Sequence, residues 1–287
     1  MTLAGASLGS RRGFVLVAVL WLGAFLIVLV AALLQQSRTT LTVARSGVEE
    51  TIADAMLTGA VETLALSYPR MAQPGLSDGR LRTIAVAGGA VTVAVQDDNG
   101  LVDPNRAVAP VIVQVAAAAG DAGAGRAILA RRGEPGTPSA AVFREREEIA
   151  DLPNGNDALA AFFDNFGTMF SVAGGINPMT APAAVLAVLP GVSGAVAAKA
   201  VALREQPGTD PQKVIAILGP AAGQFLDPTP GKNFDVFLSA KVGSGLTKTL
   251  RVTMLFEGSA AVPYRLGDWR PWAEQPAWVR PAAPAKG

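Results

Sequence analysis

The sequence predicts an α+β protein: a long N-terminal helix, an antiparallel sheet, and a helical block inserted between two runs of strands. Three observations carry that expectation. Residues 14–34 read FVLVAVLWLGAFLIVLVAALL, with neither charge nor proline. β-branched residues cluster or alternate at 82–95 and again at 234–256, the period-two signature of strands. Between those regions lie short apolar segments punctuated by Gly, Pro and helix-capping residues, which is a helical pattern. Strands on both sides of the helices can close into one antiparallel sheet with the helices as an insertion.

The first element is the longest. At ~1.5 Å per residue the 14–34 run spans ~30 Å, about one hydrocarbon core. Arg11 and Arg12 stand directly before it, so the positive-inside rule places residues 1–13 in the cytoplasm and the bulk of the chain across the membrane. A cleaved secretory signal has a shorter apolar region followed by a small-x-small site; here the run continues into Gln35, Gln36, Ser37 and Arg38. The helical pattern also continues. From 35 to 66 there is no proline, and Val48, Ile52 and Met56 recur at four-residue spacing with Leu41 and Leu64 along a similar stripe, while Glu49, Glu50, Asp54 and Glu62 interleave. That amphipathic half is expected to cover a globular core until Pro69 ends it.

Strands are expected at 82–86 and 90–95, separated by Gly88 and Gly89, and then at 234–239, 249–256 and 263–266. Between them, helices are expected at 108–119, 145–152, 157–166, 181–189, 193–205 and 211–218, capped by Asp157, Thr180, Ser193 and Asp210, with loops at 120–125 and 131–139. Residues 268–287, with Pro271, Pro276, Pro281 and Pro284, read as a largely disordered tail in which Trp269, Trp272 and Trp278 can pack locally.

Composition narrows the function. The 287 residues carry 24 Lys and Arg against 23 Asp and Glu, a formal charge of +1, so no global field draws nucleic acid. With no cysteine there is no disulfide framework and no thiolate site. With no histidine, most general-base schemes and common zinc sites are ruled out. An enzyme would have to work through carboxylates such as Glu145, Glu147 and Glu148, or through lysine. No enzymatic activity is the expectation.

Two segments echo each other. Asp97, Asn99, Asp103 and Asn105 punctuate a turn that leads through Pro104 to Ala107, and Asn177 leads through Pro178 to Ala181. Each reads as a helix-start turn, since Asn and Asp cap helices and proline suits the first turn. After the second, Leu189, Pro190, Gly191 and Val192 join two short helices as in a helix-hairpin-helix. In DNA-binding examples the hairpin brings backbone N–H groups to a phosphate. Lys199 and Arg204 are the cations near it, with no basic flank, and no nucleic-acid partner is expected.

The junction Arg11-Arg12-Gly13-Phe14 resembles a type IV prepilin leader. The ordered set of motifs over residues 12–269 resembles the K-type minor pseudopilins of the type II (general) secretion pathway. It comprises the Gly-Phe junction, the D-x-N-G-x-x-D-x-N-x-A turn at 97–107, a Glu-x-x-x-Leu-Pro stretch at 148–153, the I-N-x-x-T-A-P-x-x-V-L-x-x-L-P-G run at 176–191, and the closing Tyr264-Arg265-Leu266-Gly267-Asp268-Trp269. The resemblance implies cleavage between Gly13 and Phe14 by a prepilin peptidase, with methylation of Phe14. Ala18 occupies the mature fifth position, where most pilins carry a glutamate; a subunit with no neighbour above it can do without that buried carboxylate. It implies a leader at 1–13, a transmembrane and spine helix at 14–68, a pseudopilin sheet at 69–102 and 227–267, an inserted helix-hairpin-helix or SAM-like domain at 103–226, and the tail from 268. The implied role is at the tip of an inner-membrane-anchored, periplasmic pseudopilus, with the I- and J-type minor pseudopilins as partners. No cofactor is expected. Calcium, which some members bind beside the sheet, is the ion the resemblance admits, although acidic residues are few between Asp227 and Asp235.

Overall fold

An unbroken run of helix-compatible residues gives α1 (Ser10–Leu66). The computed structural model describes residues 10–67, 75–133, 143–152, 156–243, 245–256 and 263–282. The chain divides into two compact units, Met1–Ile52 and Ala53–Gly287. In the first, Phe14, Leu16, Leu20, Trp21 and Ile27 are all exposed, on a helix whose most apolar stretch is unburied. By length and composition this helix can cross a membrane. Residues 1–9 of the expected leader, the side chains of Arg11 and Arg12, the helix stop at Pro69, and Pro153 lie outside the described residues.

The second unit holds a five-stranded antiparallel sheet in the order β1 (Arg82–Val86), β2 (Gly89–Asp97), β3 (Asn233–Val242), β4 (Leu246–Leu255) and β5 (Arg265–Pro271). Gly88 and Gly89 turn the first hairpin at φ 91 and 152, a region closed to most side chains. β2 and β3 are neighbours in the sheet, with Val91 opposite Ala240 and Asp97 opposite Phe234, although 135 residues separate the end of one from the start of the other (98–232). The helical block is therefore an insertion between adjacent strands.

Alternation assigns the two sheet faces. Val91, Val93, Val95, Phe234, Val236, Leu238, Val252 and Met254 form one core with Met56, Leu57, Ala60, Val61 and Leu64 of α1. On the other face Ala94 and Phe237 pack with Trp278 and Val279. The supposed tail thus needs correction. β5 runs on through Pro271, Trp278 is 1% exposed, Leu81 N–H donates to the Arg280 carbonyl at 2.9 Å, and Arg280 N–H donates to that of Gly79 at 2.8 Å. Prolines suit an outer strand, where a missing N–H leaves no partner unserved, and the buried indole of Trp278 with the two backbone bonds between Gly79, Leu81 and Arg280 holds the segment against the sheet. Residues 283–287 lie outside the described residues.

The insert has a core of its own, built on Ile112, Ile128, Leu159, Phe163, Val185, Leu186 and Val214. Its helices are α2 (Ala109–Ala118), α3 (Ala122–Arg132), α4 (Asp157–Phe166), α5 (Ala183–Ala187), α6 (Gly194–Arg204), α7 (Pro211–Leu218) and α8 (Pro220–Gly223). α3 begins inside the 120–125 segment expected as a loop. Asp121 caps it, accepting from Gly123 and Ala124 N–H at 2.9 and 3.0 Å. Gly125 serves packing rather than a turn, because a Cβ there would come within 2.9 Å of the Ala116 methyl. Residues 145–152 contain only a 3₁₀ turn, Arg146–Ile149. Ser193 and Asp210 cap as expected, but Asn156 and Pro182 stand at the N-caps assigned to Asp157 and Thr180.

The insert is built twice. Val102 makes a parallel bridge to Gly167, receiving its carbonyl's bond from Thr168 N–H at 3.1 Å and donating to Phe166 at 2.9 Å. Ile176 repeats this with Leu226, accepting from Asp227 N–H at 3.0 Å and donating to Phe225 at 2.8 Å. In each half the next residue, Asp103 or Asn177, accepts at Oδ1 from the N–H two places on, at 2.8 and 3.0 Å. A helix pair follows in each half: α2 with α3, and α5 with α6.

Candidate functional site

Two regions gather the residues singled out by the sequence. In the first unit these are the junction residues and the apolar helix behind them. Gly13 and Phe14 lie within α1, and Ala18 is exposed on it. Across residues 14–34 the described side chains offer apolar surface; their chemistry is that of a span or of a helix packed among others like it.

In the second unit the turn residues converge where β2 and β3 pass into the insert. Asp97 ends β2 and caps the 3₁₀ turn Asp98–Gly100, accepting from Asn99 N–H at 2.9 Å. Its second oxygen accepts from Asn177 Nδ2 at 3.0 Å, Thr180 Oγ1 at 3.1 Å and Gly231 N–H at 3.3 Å. Asn177 N–H donates to the Asn99 carbonyl at 2.7 Å. Asn99 Oδ1 accepts from Ser171 Oγ at 3.1 Å, and Ser171 N–H donates to Asp103 at 3.2 Å. Asp97, Asn99, Asp103 and Asn177 therefore form one buried polar hub joining the sheet to both halves of the insert. Asn105 lies beside it and clamps Phe143, with its Oδ1 accepting at 2.7 Å and its Nδ2 donating at 2.9 Å.

Burial raises the pKa of Asp97, opposed by the N–H donors of Asn99 and Gly231. It lifts Asp103 to about 6, against the opposing bonds of Asn105 and Ser171. Burial, and next the charge of Asp235, push Asp98 well above the ordinary carboxylate range. The hub is a hydrogen-bonded network at the seam between sheet and insert, and the buried oxygens of Asp98 and Gln96 Oε1 beside it, which have no hydrogen-bond partner among the described residues, add the low-dielectric cost that such seams carry.

A buried ion cluster lies under it. Asp235 is fully buried and accepts from Arg251 Nε at 3.0 Å and from Arg146 Nη2 at 2.9 Å, while Arg146 Nη1 reaches Asp268 at 2.8 Å. Sequence reasoning missed this cluster. The usable signal was a charge at the same phase of two apolar strands, Asp235 in β3 and Arg251 in β4. Among the described residues no group of three or more Asp, Glu, His or Cys is placed to hold a metal ion.

Pro190 and Gly191 are elsewhere, in the turn between α5 and α6, where Gly191 has φ 79. Of the two cations beside that hairpin, Lys199 is exposed, but Arg204 is buried and spends Nη1 on the carbonyls of Pro178 and Ala181. Of the candidate carboxylates, Glu147 pairs with Arg270 and Glu148 with Arg131.

The fold has a counterpart among solved structures. It is similar to a chain of the crystal structure of the GspK–GspI–GspJ complex from the enterotoxigenic Escherichia coli type 2 secretion system, with a TM-score of 0.50 and 12% identity, over 80% of this chain and 100% of that one. No protein-family model and no curated protein sequence matches the chain. The mixed α+β architecture, an apolar N-terminal helix ahead of an antiparallel sheet with inserted helices, is thus a pseudopilin-like fold.

Proposed function

We propose that this protein is a K-type minor pseudopilin that tips the type II secretion pseudopilus and starts its assembly with I- and J-type partners. The observation that carries the reading is the fold similarity to a chain of a minor pseudopilin complex, in a protein whose apolar helix opens on a Gly13-Phe14 junction. On this reading a prepilin peptidase cuts after Gly13 and Phe14 is methylated. The 14–34 helix sits in the inner membrane or the filament core, and the second unit stands in the periplasm. Ala18 lacks the carboxylate that a subunit uses to pair with the neighbour above it, which suits a terminal position. The protein contributes packing surface and bulk, with no catalysis of its own, and its hub holds the double insert rigidly on the sheet.

N-terminal mass spectrometry of membrane-extracted protein, made with the peptidase present, tests this. A chain beginning at methylated Phe14 supports it; an intact Met1, or cleavage beyond Leu34, overturns it. Co-purification with I- and J-type pseudopilins then separates secretion from other filament systems.

A further inference from the structure

A cavity of about 620 Å³ opens between the segment leading into β1 and the turn after α6, lined by Leu76, Asp78, Arg80, Arg82, Met179 and the 204–209 turn. Its charge does not balance. Asp78 is shared by Arg80 at 3.6 Å, Arg82 at 3.6 Å and Arg280 at 3.4 Å. Glu205 is shared by Arg80 at 3.2 Å and by Arg280. Arg204 adds a fourth guanidinium, whose buried Nε and Nη2 have no hydrogen-bond partner among the described residues. Three guanidiniums of the lining, Arg80, Arg82 and Arg204, thus stand against two carboxylates, and Arg280, outside the lining, pairs with both carboxylates, so the cluster carries an excess of two positive charges at a half-sheltered site. Burial, and then the charge of Arg280, lower Arg204 to about 10, so it remains a cation at neutral pH. Guanidinium forks pair carboxylates bidentately and discriminate by geometry as well as charge.

We propose that this cavity docks an acidic, partly apolar peptide segment of a partner protein. Charge complementarity names the acidic part. The volume exceeds a lone oxyanion several-fold, and Leu76, Met179 and Pro207 line it beside the charges, which suits a ligand with apolar side chains between its carboxylates. The inference is independent of the filament reading, since it rests on the second unit's own cavity.

Full-length protein in detergent micelles is titrated into a fluorescein-labelled peptide of alternating Glu and Leu and followed by fluorescence anisotropy. The control peptide carries Gln in place of Glu, and inorganic phosphate is the competitor. Saturable binding of the Glu peptide alone is expected. Arg80→Gln should weaken it by about fivefold or more, and Glu205→Gln, which increases the positive excess, should tighten it by about threefold. Opposite shifts from two neighbouring neutralisations do not arise from misfolding, and a thermal melt of each variant confirms the fold. Equal binding of the Gln peptide, no binding by folded wild type, or the same change in both variants overturns the proposal. Displacement by phosphate at matching affinity overturns it in favour of a small-oxyanion site.

Discussion

Arg132 and Arg204 hold the same place in the two halves of the insert. Each donates Nη1 to a proline carbonyl and to the alanine carbonyl three residues on, at 2.9 and 2.5 Å for Pro104 and Ala107 and at 2.9 and 2.6 Å for Pro178 and Ala181. Each is the last residue of the second helix of its pair and reaches back to close the turn that begins the half. Replacing either by Met leaves two buried carbonyls without their donor, a loss expected to cost about 2–4 kcal/mol. Urea unfolding of full-length protein in detergent measures it. Losses below about 0.5 kcal/mol, the scale of an ordinary surface change, would mean the arginines do not latch the halves.

The echo between Asp103-Pro104 and Asn177-Pro178 was visible in the sequence as similar turns, and each does begin a half. What periodicity could not supply was the partner of each turn. Arg132 and Arg204 lie more than 20 residues away and look like ordinary C-terminal helix cations. The sheet was legible because β-branched alternation is local. Helix α3 was not, because Gly123 and Gly125 read as breakers until the close approach of Ala116 explains one of them. The hub was legible residue by residue but not as a hub, since Asp97 and Asn177 meet only when the chain closes. The order of the segment after β5 is not legible in the sequence, because prolines signal irregular chain and the burial of Trp278 beneath the sheet is tertiary.

Gly100 is held by contact rather than by backbone conformation. A Cβ there would stand 2.7 Å from Thr180 Oγ1, 2.8 Å from Gln96 Nε2 and 2.9 Å from Ala181 N, all parts of the seam between sheet and insert. Gly100→Ala should destabilise by about 1–3 kcal/mol as the hub parts to admit a methyl. Gly194→Ala is the counter-case. It lies at the start of α6 with nothing within 4 Å of its would-be Cβ, so a gain of about 0.4–1 kcal/mol is expected. Denaturant midpoints of opposite sign are the check, and equal shifts would refute the contact argument.

Asp103 gives stability a pH dependence. Its folded pKa of about 6 lies above the ordinary 3.8, raised by burial. Between those values the folded chain holds the proton while the unfolded chain has released it. The group's contribution therefore falls as pH rises through that window, unchanged below it and fully lost above about 6, a total of about 3 kcal/mol. Asp103→Asn abolishes this titration, although it also sets an amide against Ser171 N–H. The wild-type stability minus that of the variant should accordingly decline between about pH 4 and pH 7 and then level off. A difference that stays flat across that range would show that Asp103 ionises as freely in the fold as out of it.

Trp278 ties the end of the chain to the sheet. Its ring is 1% exposed and packs with Ala94, Phe237 and Val279 on the face opposite α1. Its backbone crosses close to Gly79, where a Cβ would collide with the Trp278 carbonyl. Removing the indole leaves a cavity on the sheet face that also carries Asp235 and Arg251, and Trp278→Ala should cost about 3–5 kcal/mol. Trp269, 46% exposed on β5, sits in the same sequence region but buries far less surface, so Trp269→Ala should cost about 1 kcal/mol or less. Paired urea titrations of the two variants decide the matter. If both cost the same small amount, residues beyond β5 are only a solvated tail; if only the Trp278 change is severe, the C-terminal segment is a structural part of the sheet layer.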